Sequence, residues 1–492
     1  MRLTTCDAGI ILGRVAGWGQ SRTPASIVFV RRRTKNPALG TGSEGQDMAS
    51  PNPRPALSRR GFLGVAGTAG IATAGLLTGC NRAATGGSSG GAKPLKFWNM
   101  PWGNTQFNPL DKKITTSYKP AAGLSPATYQ VIQWANFTQT FSSAIASNTG
   151  PAVSSGGGTQ AFQFEAQGKI AYADDLLDSW KEDGLYDDFL PGLIDTMKVD
   201  KGFAAVPYNL DMRVLWYNTK LLDQADVEPP KTWDDFLKVC AALKKNNIYG
   251  YGTAAGAGAY TGGHILVSWM IGNGGGLFDA NHEPNMVTPE NIQAIDFVLE
   301  CVQKGYVDPR SPSYTSANAQ SQWRAHKFGM GFDTAGLANN IGGTVAKEIT
   351  VGSPLTSPSG KKGMLYFPNN IMMYTNTPSQ KSSEAFLTYY YKNMAPLWTQ
   401  NTGIGLPPLK SITQTDGFRK DKNAVKAIEE YQPISRTWAA PGSKALFLGV
   451  TTVDGTPSMD TFTQSVLGGK TTARAALTKL QDATAKAIKA LG

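Results

Sequence analysis

An α/β fold is predicted by three observations. Short runs rich in β-branched and aromatic residues alternate with amphipathic helical stretches. Helix caps and stops punctuate the chain, and no internal repeat or heptad pattern competes. Residues 93–98 (KPLKFW) read as a first strand and 129–134 (YQVIQW) as a second, with a helical stretch over 136–147. Residues 232–245 read as a helix: Pro229 and Pro230 precede it, Thr232 and Asp235 form a capping box, and Phe236, Val239, Cys240 and Leu243 share one face. Residues 288–304 read as another, with Thr288 as cap, Pro289 in the first turn, Ile292, Ile295, Leu299 and Val302 inward, and Gly305 as the stop. A third follows Pro378 through Ala385, Phe386 and Tyr389. The last runs from about Thr471 to the end, with Leu477, Leu480 and Ile488 on its buried side.

Residues 58–80, SRRGFLGVAGTAGIATAGLLTGC, admit three readings: a membrane span, a core helix or an export address. The uncharged stretch 61–79 is long enough to cross a bilayer, but Gly, Ala and Thr fill much of it, and these gain little from lipid. The sequence instead resembles a twin-arginine signal around Arg59 and Arg60, followed by a lipoprotein box, Leu77-Thr78-Gly79-Cys80. That resemblance implies lipid attachment at Cys80, a Gly/Ser-rich tether over residues 80–92, and a protein held at the outer face of the cell membrane. Such a signal belongs at an N-terminus, so Met48 is the expected start and residues 1–47 an over-extension.

The leader changes the charge argument. Residues 1–79 hold ten Lys/Arg and three Asp/Glu, so they carry +7 of the formal +11 and leave +4 on the remainder. A nucleic-acid role thereby loses its main support. From Cys80 onward 413 residues remain, more than one hydrophobic core organises and suited to two lobes. Cys240 and Cys301 both fall on apolar helix faces. They could pair outside the cell or stay as two buried thiols.

Residues 203–237 (FAAVPYNLDMRVLWYNTKLLDQADVEPPKTWDDFL) resemble the signature of extracytoplasmic solute-binding lipoproteins of carbohydrate ABC importers, the group similar to maltose-binding protein. In that group a VPY…YN strand crosses between lobes and a P-x-TW-x-x-F/L motif opens the next helix. Residues 273–279 (NGGGLFD), 326–336 (HKFGMGFDTAG) and 401–410 (NTGIGLPPLK) fit the same order. The resemblance implies a type II two-lobe fold of the periplasmic-binding-protein kind, with a hinge and an interlobe cleft. Lobe 1 is expected over 93–207 and about 355–410, and lobe 2 over 208–354 and about 411–492. It further implies a monomer that binds a carbohydrate and hands it to the transmembrane subunits of an ABC permease, with no cofactor and no metal.

A sugar offers hydroxyls, which suit planar polar side chains, and an apolar ring face, which suits an aromatic ring. The resemblance places Trp98, Asn99 and Trp102 in a loop after the first strand, Thr159 and Gln160 after the glycines of 156–158, and Tyr208, Asp211 and Arg213 in the crossing strand. Tyr260, His264 and Trp269 come from the second lobe, Asp333 and Asn370 from two returning strands, and Trp438 from RTWAAPG. Asp211 and Arg213 stand two apart on a strand, hence on one side of it, and also fit a hinge ion pair. Each aromatic also fits a core role, and the 154–160 loop also fits a plain turn. Ala335-Gly336 stand where maltose-type members carry a tryptophan, which argues against maltodextrin.

Catalytic patterns are lacking. The three histidines, His264, His282 and His326, show no metal-ligand spacing, and the chain has no GxSxG, HExxH or P-loop motif. Asp174-Asp175 and Asp187-Asp188 are adjacent, so their side chains diverge and do not form an acid/base couple. The expectation is a binding protein and not an enzyme, with a receptor for another small polar solute, an exported glycosidase and a structural lipoprotein as the alternatives.

Overall fold

The computed structural model describes residues 93–491 except 135, 136, 257 and 376. Arg59, Arg60, Cys80, the Met48 start and the tether lie outside the described residues. The strands are β1 Leu95–Asn99, β2 Ala127–Val131, β3 Val153–Gly156, β4 Ile170–Ala171, β5 Lys198–Val199, β6 Gly202–Phe203, β7 Val206–Asn218, β8 Met330–Thr334, β9 Ile349–Val351, β10 Met364–Tyr374 and β11 Ser435–Arg436. Nine of them form one mixed sheet with the path β2-β1-β3-β10-β7-β8. β4 and β11 pair with β10, and β9 pairs with β7.

β1 pairs in parallel with β2, from Leu95↔Ala127 to Asn99↔Val131. The second strand therefore lies two residues earlier than expected and ends before Trp134. Its partner sets this limit, because after Asn99 the chain reaches Pro101, which has no N–H to continue a ladder.

The expected helices form, and their caps explain why. In Trp233–Lys245, Thr232 Oγ1 accepts from Asp235 N and Asp235 Oδ2 accepts from Thr232 N, a reciprocal capping box. Pro289–Gln303 starts on Thr288, which accepts from Asn291 N, and stops before Gly305 at φ +68, a left-handed conformation that glycine adopts without a Cβ clash. Its buried side runs through Ala294, Ile295, Val298, Leu299 and Cys301. The expected Ile292 and Val302 sit at the margin, half-buried. Gln380–Asn393 and Ala473–Lys489 begin on Ser379 and Thr472 in the same manner. Cys240 and Cys301 are buried free thiols.

β7 and β10 are the two longest strands, and their antiparallel pairing carries the sheet from one aromatic core to another. Near the start of β7, Tyr208 packs with Tyr390, which in turn packs with Phe97 and Phe386. Near its end, Leu215 pairs with Phe332, which joins Trp233, Phe236, Trp269 and Phe297. Between the cores the ladder is irregular. Pro368 lies opposite Leu210, whose N–H and C=O are instead used by Leu406 at 2.8 Å each, and the register shifts between Asn369 and Asn370. The 401–410 loop thus meets β7 through one isolated bridge, Leu406 to Leu210.

Candidate functional site

Period two puts Asn209, Asp211 and Arg213 of β7 on one side, and the register sets Asn369 opposite Asn209 and Phe367 opposite Asp211. Arg213 is 4% exposed. Its Nη1 reaches Asp211 Oδ1 at 2.5 Å, its Nη2 reaches His264 Nδ1 at 2.8 Å, and its guanidinium lies 4.9 Å over the Phe367 ring. Arginine only donates, so Nδ1 of His264 accepts and Nε2 carries the proton given to Asp454 Oδ1, at 2.8 Å. Four polar side chains are therefore threaded in series: Asp211, Arg213, His264 and Asp454. Asp333 stands beside them on β8. Burial pushes its carboxyl up to about 6, against the pull of the Thr334 N–H and the Arg213 guanidinium.

Next to this strip lies a cluster of amides. Gln160 folds over Gly156, where a Cβ would meet its Oε1 at 2.1 Å, and Gly156 pairs with Asn370. Asn370 Nδ2 donates to Gly158 O at 3.0 Å and Asn369 Nδ2 to Asn209 Oδ1 at 3.0 Å. Both polar atoms of the Gln160 amide, Asn209 Nδ2, Asn370 Oδ1 and Arg213 Nε are buried without a hydrogen-bond partner among the described residues. Unmade hydrogen bonds cost about 1–3 kcal/mol each when buried, so so many together favour a guest that both donates and accepts.

The third part is aromatic. Trp102, half-buried, sits edge-on to Trp134 at 4.9 Å and to Tyr208 at 6.3 Å. Trp134 is 42% exposed, so this wall faces outward. On the opposite side of the crossing, Tyr260 is exposed and stacks towards His264 at 6.4 Å, while Trp438 packs its edge against both His264 and Phe367.

Several expected site residues are placed otherwise. Trp269 is enclosed in the Trp233/Phe297/Phe332 core and donates its indole N–H to Tyr251 OH at 3.0 Å. It belongs to the interior because its helix, Thr261–Gly272, is buried at every position from Gly262 on. Trp98 packs against Phe141, and Asn99 and Tyr208 are fully enclosed, so these three stand behind the aromatic wall and not on it. Thr159, exposed in part, precedes the helix Gln160–Ala166, which lies against the turn Leu448–Thr452. The acidic doublets tie segments of the fold together: Asp174 accepts from Phe203 N, and Asp188 accepts from Ser411 N.

The structure adds residues that the sequence reading did not single out: Asn209, Phe367, Asn369, Asp454 and Trp134. Asn209 was within reach, since it precedes Asp211 by two on the same strand. Asp454 carried no signal, being 190 residues from His264.

Fold and site together define a class: an α/β binding protein whose polar strip, amide cluster and aromatic wall gather around two long paired strands. Comparison with known proteins agrees. Residues 126–395 match the bacterial extracellular solute-binding protein family, and the chain belongs to that family. A solved sugar transporter from Arthrobacter chlorophenolicus, with bound laminaribiose, is 45% identical, with a TM-score of 0.72, and covers 80% of this chain and 99% of its own. The sugar-binding protein of Xanthomonas citri shares the fold at TM-score 0.67 and 18% identity, over 81% of this chain and 99% of that one. A binding protein of Brucella abortus is 22% identical over 312 residues, 62% of this chain and 74% of its own. The fold is thus the two-lobe α/β arrangement of these proteins.

Proposed function

We propose that this protein is the solute-binding component of an ABC importer, capturing a neutral β-linked disaccharide of the laminaribiose class and delivering it to the permease. The observation that carries the reading is the aromatic wall beside buried, unpartnered amides. A pyranose answers both, laying its C–H face on Trp102 and its hydroxyls among Asn209, Gln160, Asn370 and Asp211. The 45%-identical relative that holds laminaribiose supports the sugar class. Both ring nitrogens of His264 are engaged, so the ring has no free lone pair to act as a base, which favours binding over catalysis.

The lobes would divide near 207 and 355, with β7 and β10 as crossing segments that bend as the lobes close. Calorimetry of the processed protein against laminaribiose, cellobiose, gentiobiose and maltose tests the function. Heat of binding is expected with laminaribiose and is smaller or absent with maltose; silence with every saccharide overturns the reading.

The proposal includes export by the twin-arginine route, lipid attachment at Cys80 and action as a monomer, supported by the order and spacing of Arg59-Arg60 and Leu77-Thr78-Gly79-Cys80. Replacing both arginines with Lys should leave the protein inside the cell. Normal surface display of that variant would rule the route out.

A further inference from the structure

We propose that Asp111, a carboxylate enclosed behind the aromatic wall, is a positioning residue that fixes the Trp102 indole through the side-chain amide of Asn99. Asp111 lies on the helix Phe107–Thr116 and has no exposed surface. Its Oδ2 accepts from Asn99 Nδ2 at 2.6 Å and its Oδ1 from Tyr390 OH at 2.6 Å. Tyr208 OH meets Tyr390 OH at 2.9 Å and also accepts from Asn99 Nδ2, at 3.3 Å.

An ionised carboxylate only accepts, so Asn99 must turn its NH₂ towards Asp111. The amide is planar, and its Oδ1 is thereby aimed the other way. There it accepts from Met100 N at 2.9 Å, from Trp102 Nε1 at 3.1 Å and from the Ser155 hydroxyl, while Ser155 Oγ takes a second bond from Trp102 Nε1 at 3.0 Å. With the amide reversed, NH₂ would face the N–H of Met100 and the N–H of Trp102, donor against donor. Asp111 removes that alternative.

Burial pushes the Asp111 carboxyl up to about 6 even against the hydrogen bonds that pull it down. An apolar side chain would fill this position of the helix without that cost. What the carboxylate adds is direction, passed from Asp111 to Asn99 to the indole.

The effect on affinity rests on the carbohydrate reading, whereas the effect on the indole does not. The experiment uses the processed protein with ¹⁵N-labelled tryptophan, the Trp102 indole signal being assigned by its loss in Trp102→Phe. Asp111→Asn, which can no longer dictate the amide, is expected to move that signal and to speed its exchange with solvent about tenfold, the worth of one hydrogen bond. It should weaken laminaribiose binding by a similar factor, and should cost nothing further in a Trp102→Ala background, because the two act in series. Asn99→Ala should reproduce the indole change and serves if Asp111→Asn does not fold. An unchanged indole signal in the variant that folds overturns the assignment. So does full additivity with Trp102→Ala. If the wild type binds no saccharide yet the indole responds, the positioning role stands and the carbohydrate reading falls.

Discussion

Replacing Arg213 with Met lowers the unfolding free energy of the ligand-free protein by about 1–3 kcal/mol near neutral pH, the usual cost of removing a charged hydrogen-bond partner from groups that are only partly rehydrated. Arg213 is enclosed and serves three neighbours at once: Asp211, His264 and the face of Phe367. Met fills much of the volume but answers none of the polar atoms, so Asp211 and His264 lose their cationic partner and Asp333 loses the charge that holds its carboxyl down. The deficit should depend on pH, and Asp333 gives the sign. Its folded value is raised from 3.8 to about 6, so on acidification the folded state takes up this proton before the unfolded state does. The ionised form therefore opposes folding above about pH 6, and that opposition fades as pH falls towards about 4. Without Arg213 the carboxyl is raised further, so the deficit of the variant should be largest near pH 7.5 and smaller near pH 5. Urea unfolding at both pH values measures it. Equal deficits would remove Asp333 from the argument, and no deficit near neutrality would mean that the strip does not depend on the guanidinium.

The second large effect is on binding. Trp102→Ala is expected to weaken laminaribiose binding by about 1.5–3 kcal/mol, roughly tenfold to over a hundredfold, from lost apolar burial and ring contact. The fold should tolerate it better than a core substitution, since Trp102 is only half-buried and no strand depends on it. Calorimetry of the variant beside its thermal midpoint separates the two. Unaltered affinity with unaltered stability would place the sugar elsewhere.

How much of this could be read from the chain differs by element. The helices from Thr232 and Thr288 announced themselves because caps and stops act within four residues, and the structure shows those same bonds. Arg213 was one of two partners left open for Asp211, once the resemblance had put both on one strand and strand period on one side of it. Trp269 could not be placed in advance, because a helix buried on every side has no polar face to betray its orientation. Asp454 and Asp111 were invisible for a related reason: their partners, His264 and Tyr390, are distant in sequence and are brought near only by packing. Local chemistry was legible, and long-range pairing was not.

The indole N–H of Trp102 is already spent on Asn99 and Ser155. A donor so occupied has nothing left for an incoming hydroxyl, so on the proposed reading the indole meets a sugar by shape alone, accepting a flat C–H face and turning away one that an axial hydroxyl interrupts. On that reading, epimers that differ at carbons held away from the indole are told apart only by the carboxylate and amides, which can still donate and accept.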